Sequence, residues 1–146
     1  MIRLWLVLHL LGFVLWLGGA MAGMVLGVRG RREDRAQLGA VVRAQAAIQK
    51  MLVAPGALVT VLSGLILTFR VDYAGANPWL MLMQGTGLLA AFLTLFVNLP
   101  TAARLGRLDP AADAPLVDQL RRRHALVGSI AGTLALVALV AGAMLA

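Results

Sequence analysis

His9 and His124 are the only histidines in the 146 residues, and the chain has no cysteine. That excludes disulfides, iron–sulfur clusters and thiolate metal sites, leaving imidazole, thioether and amide groups as the obvious ligands. The six carboxylates, Glu33, Asp34, Asp72, Asp109, Asp113 and Asp118, all fall in polar stretches. No apolar stretch holds one, so neither a hydrolytic centre nor a buried relay of ionisable groups can be assembled. His9 is the exception to this segregation. It stands inside residues 8–19, LHLLGFVLWLGG, where a polar ring is either satisfied by a neighbour or kept for chemistry.

The elements that must position His9 follow from composition. The chain is 61% hydrophobic and 13% charged, with mean hydropathy +0.89, whereas soluble domains carry about 25% charged residues. The excess gathers into four blocks, expected as spans over about 4–28, 51–69, 79–99 and 124–146. Each is near the ~20 residues that cross ~30 Å of hydrocarbon. The expectation is a single all-α domain, an integral membrane antiparallel four-helix bundle in contact with the lipid bilayer. The first block carries Arg3, an apolar core and Ala20-Met21-Ala22, the three parts of a cleavable signal, yet it stays apolar to Val28 and is expected to be retained.

The net charge of +7 is a topology signal and not a nucleic-acid footprint. Arg29, Arg31, Arg32, Arg35, Arg43 and Lys50 lie in the connection 29–50, and Arg104, Arg107, Arg121, Arg122 and Arg123 in the connection 100–123. Only Arg3 and Arg70 fall on the other side. This positive-inside asymmetry puts both basic connections in the cytoplasm of a bacterial inner membrane and both termini on the outer face. It also attracts anionic lipid headgroups. Residues 33–50 are expected to begin the second span's helix in the cytoplasm, Pro55 to kink it or free a carbonyl, Asn77-Pro78 to cap the third, and Pro100 to end it.

Small and polar residues recur at helical spacing within each block. His9, Gly12, Trp16, Gly19 and Gly23 form one stripe; Gly56, Thr60, Ser63 and Leu67 a second; Gln84, Gly87, Ala91, Thr94 and Asn98 a third; His124, Gly128, Ala131, Ala135, Ala138 and Gly142 a fourth. Such stripes face neighbouring helices in a membrane, where small residues allow close approach and polar ones hydrogen-bond. Gly19, Gly23 and Gly27 offer a homodimer face as an alternative to packing within the chain. His9 and His124 lie at opposite depths, separated by something like 20 Å, and cannot share one ion. His124, beside Arg121–Arg123, reads as interfacial. At His9's depth the third span offers Met83 and Gln84. His9 with Met83 or Gln84 would suit a haem b iron, and His9 with methionines would suit copper(I). A hydrogen bond from His9 to Gln84, Thr60 or Ser63 would satisfy it structurally.

His9, then Trp16-Leu17-Gly18-Gly19, resembles the first span of the HemJ-type protoporphyrinogen IX oxidases and copper resistance protein D relatives. Met51-Leu52-Val53-Ala54-Pro55 with Gly64 resembles their second span, and Trp79-Leu80 the start of their third. The resemblance implies the four-helix fold and a b-type haem ligated by the first-span histidine, here His9, with Trp16 a candidate cofactor-binding residue. The third-span lysine of that group is replaced near Met83, and its fourth-span Asn-Glu-Pro reads His124-Ala125-Leu126. Three functions stay open: a haem-linked redox or haem-handling protein with an unidentified electron partner, copper binding or transfer, and a non-catalytic membrane subunit with a structural His9.

Overall fold

A computed structural model describes residues 1–70 and 77–145. Among them there are helices and turns and no strand. The helices are α1 (Ile2–Arg29), α2 (Arg35–Ile48), α3 (Ala54–Arg70), α4 (Pro78–Phe92), α5 (Leu99–Leu105) and α6 (Ala114–Ala143). A π-helical turn, Gln49–Val53, joins α2 to α3, and another, Leu93–Asn98, joins α4 to α5. The result is four continuous helical rods, each long and apolar enough to cross a membrane. Lipid-facing positions are leucine, valine, methionine and phenylalanine, such as Leu11, Met24, Leu62, Phe96 and Leu126, all more than half exposed. The buried positions are the small and polar stripes, with Gly12, Trp16 and Gly19 in α1 and Ala131, Ala135 and Ala138 in α6.

The rods associate as two antiparallel pairs. In the first, α1 lies along α2–α3. A Cβ added to Gly56 would stand 2.5 Å from the Trp16 backbone nitrogen and 2.7 Å from the Gly12 carbonyl oxygen, so the two backbones touch where neither has a side chain. The register continues through Gly19 against Val53 and Gly27 against Gln45, whose Nε2 donates to the Gly23 carbonyl at 2.8 Å. In the second pair α4 lies along α6, with Gly87 against Ala138 and Met83 against Gly142. Trp16, Val53, Ala57, Ala90, Ala91 and Ala135 form the core where the pairs meet.

One expectation changes. Pro100 does not end the third rod, which runs on to Leu105. Proline has no N–H, so the residue before it is the last donor before a gap in the ladder. In both rods that residue reaches one step further back: Ala54 N–H bonds the Gln49 carbonyl, and Leu99 N–H bonds the Thr94 carbonyl. The wide turn absorbs the proline, and both prolines face outward. The basic connections also pack on one another. Leu38 and Val42 of α2, Leu105 of α5, and Val117 and Leu120 of α6 bury one another in a second core at the basic end. Arg35 clamps Asp118 there with bonds of 3.0 and 2.8 Å. As expected from a helix start near Leu116, α6 begins at Ala114 and carries His124 well inside a helix. The expected short connection between Arg70 and Asn77 falls outside the described residues, whereas the Asn77 cap stands, its side chain accepting from Trp79 N–H at 2.9 Å.

The Gly12–Gly56 approach yields a direct test. Gly56→Ala forces backbone apart and should destabilise the protein by about 1–3 kcal/mol. Gly85→Ala, where an added Cβ meets nothing within 4 Å, should be neutral or slightly stabilising. Thermal unfolding of the two variants in one detergent compares them.

Candidate functional site

His9 projects from α1 onto α3. Its Nδ1 lies 2.8 Å from the Thr60 carbonyl oxygen. A carbonyl only accepts, so Nδ1 carries a proton and, in the neutral ring, Nε2 keeps its lone pair. The ring can lie flat on α3 because residue 64 is glycine: an added Cβ would stand 2.9 Å from His9 Cε1. Ser63 Oγ is more distant, at 3.4 Å from Nδ1, and serves mainly its own helix through the Val59 carbonyl. A metal-ligating histidine is normally held in this way, with one nitrogen fixed by a main-chain carbonyl and the other available. The same bond also satisfies the imidazole by itself.

The other residues expected at this depth have different neighbours. Gln84 Nε2 donates to Thr68 Oγ1 at 2.8 Å, bridging α4 to α3. The Met83 sulfur lies 3.1 Å from the Cβ position of Gly142, on α6. Trp16 is 4% exposed, seven residues below His9 at the centre of the bundle, with its ring edge-on to Phe13. Among the described residues no three histidines or carboxylates gather as a metal site. The glycines offered as a homodimer face contact the same chain at Gly19 and Gly27.

A second locus was not evident from the residues alone. Between the two helix pairs, toward the basic end, α1 and α6 stand apart and enclose a cleft of about 970 Å³. It is lined by Trp16 at its apolar end, by Gln49, Thr94, Asn98 and His124 in the middle, and by Arg31, Arg121 and Arg122 at its mouth. Gln49 and Asn98 are 5% and 6% exposed. Gln49 Nε2, Asn98 Oδ1 and His124 Nδ1 are the buried side-chain polar atoms without a hydrogen-bond partner among the described residues, and all three residues line this cleft. Both π-turns place their polar residues here. The spacing that could have revealed it is Gln49 and Thr94, each six residues before a proline. At the mouth, Asp118 is bound by Arg35, whose hydrogen bond is the larger cause holding that carboxyl below the usual carboxylate range. His124, expected at the interface, is half-buried in the cleft wall.

Four apolar rods with polar residues turned inward and aliphatic ones outward define an integral membrane protein. Residues 3–146 match the family model described as Predicted integral membrane protein (DUF2269), and the chain belongs to that family. No curated protein and no solved structure matches it.

The His9–Thr60 bond predicts a single neutral tautomer. Nitrogen-15 spectra of labelled protein near neutral pH should show a protonated Nδ1 and an unprotonated Nε2, unchanged in Ser63→Ala; the reverse tautomer would rule the bond out.

Proposed function

We propose that this protein is a bacterial inner-membrane protein with both termini outside, in which His9 is a protein ligand to a b-type haem and serves a redox or haem-handling role. The observation that carries this reading is the His9 Nδ1 bond to the Thr60 carbonyl at 2.8 Å, which leaves Nε2 as a fixed lone-pair donor. The resemblance of the first three spans to the HemJ-type and copper resistance protein D group supports the same ligand. Those residues would hold the group through one imidazole, that of His9. Haem with a single protein ligand is preferred to copper(I), because the nearest thioether expected at this depth, Met83, packs on Gly142. When bound, the iron would supply one-electron chemistry; the chain's own part is to hold and orient the imidazole and shield it among apolar helices. The arginine-rich connections at one end support the orientation.

Protein purified in detergent should show a Soret band, oxidised and reduced, that is lost in His9→Ala. Gly64→Ala, which crowds the His9 ring, should weaken haem retention several-fold while leaving the helices folded. A preparation that is colourless and stays so after haemin is added would refute the proposal. Metal analysis of the same sample distinguishes copper from a His9 that is structural only. A periplasm-dependent reporter fused after Ala146 should be active if the termini face outward.

A further inference from the structure

The cleft between α1 and α6 lies apart from His9. Along the rod that faces both, Thr60 and Gln49 are separated by roughly 16 Å of helical rise. Three features make it a site in its own right. Two of its glycines leave room instead of bringing helices together: a Cβ added at Gly23 or Gly132 meets nothing within 4 Å, and both line the cleft. Its middle holds the unpartnered amides of Gln49 and Asn98, each more than nine-tenths buried, beside the unpartnered Nδ1 of His124. An unpaired buried polar atom is costly, and more so where no water can reach it. Its mouth carries Arg31, Arg121 and Arg122 together with one carboxylate, Asp118. Among the described residues the ion pairs are Arg29 with Glu33 and Arg35 with Asp118, so Asp118 is already bound by a fourth arginine and the three cations keep an excess of positive charge.

A complementary ligand has an apolar body, a short oxygen-rich segment and an anionic group, in that order from the bundle's centre outward. We propose that the cleft binds one acidic glycerophospholipid. Its phosphate lies among Arg31, Arg121 and Arg122, its ester oxygens accept from Gln49 Nε2, and its chains lie on the small and aliphatic residues near Trp16. The Asn98 amide offers donor or acceptor according to which way it is turned. The mouth distinguishes this ligand from a zwitterionic lipid, because three guanidiniums beside one carboxylate already bound by Arg35 favour net negative charge. The cleft's volume is at the upper end for a ligand pocket.

Delipidated protein in a non-ionic detergent is titrated with phosphatidylglycerol or phosphatidylcholine of the same chain length, and retained lipid is read by native mass spectrometry. Phosphatidylglycerol should be retained preferentially as a single adduct. Arg121→Gln should lower that retention roughly fivefold, whereas Arg104→Gln, exposed at the same end and outside the cleft, should leave it unchanged. Gly132→Leu fills the cleft from a position where a side chain has space, so it should fold normally and abolish the adduct. Gln49→Leu and Asn98→Leu should lose the adduct yet unfold no earlier than wild type without lipid, because each removes an unpaired buried amide. Equal retention of the two lipids, or an adduct that survives Gly132→Leu, would overturn the proposal. So would a Soret band that survives His9→Ala and disappears in Gly132→Leu, which would put a tetrapyrrole in the cleft.

Discussion

The fold depends on the place where α1 and α3 touch backbone to backbone, with Gly12 facing Gly56. In a bilayer no hydrophobic force draws apolar helices together, since lipid tails are as apolar as leucine. Association has to come from close packing and from polar groups that would otherwise face hydrocarbon. The glycine pair supplies the first and fixes the register for the second. With Gly12 on Gly56, His9 falls on the Thr60 carbonyl and Gln45 reaches the Gly23 carbonyl. Trp16 falls at the junction of the two helix pairs. Moving the contact by one turn would separate all of these at once.

The two π-turns are the second constraint. Each prepares for a proline, and each turns amide or hydroxyl side chains inward at the level where the helix pairs diverge. The half of the bundle nearer the N-terminus satisfies its polar groups internally, through His9 on Thr60 and Gln84 on Thr68. The half toward the basic end leaves Gln49, Asn98 and His124 without hydrogen-bond partners around open volume. This division is why the molecule supports two separate proposals, a fixed imidazole at one depth and a ligand cleft at another.

Much of the frame was legible in the residues. Hydropathy marks the spans, the distribution of arginine distinguishes the two ends, and small residues at helical spacing mark the faces that pack. His9 could be assigned to the bundle interior for the same reason, and Thr60 was among its expected partners. The partners of Met83 and Gln84 were not legible, because depth alone does not say which neighbouring helix a side chain meets. Pro100 read as a helix end because a local rule cannot anticipate that a wide turn ahead of it rescues the ladder. The core of Leu38, Val42, Leu105, Val117 and Leu120 was hidden by the charges that alternate with it. The cleft was hidden because glycines that make room look the same in sequence as glycines that bring helices together.

The central claim is that α1 uses its glycine stripe against α2–α3 of its own chain, and that this contact sets the site register. The absence of cysteine allows a direct measurement. A Cβ at Gly19 would lie 3.2 Å from the Leu52 Cβ, close to the spacing of about 3.8 Å that a disulfide needs. Under mild oxidation in membranes, Gly19→Cys combined with Leu52→Cys should cross-link within one chain and run as a monomer of altered mobility on a non-reducing gel. A disulfide-linked dimer formed by Gly19→Cys alone and by the pair alike, with no cross-link within the chain, would contradict the account.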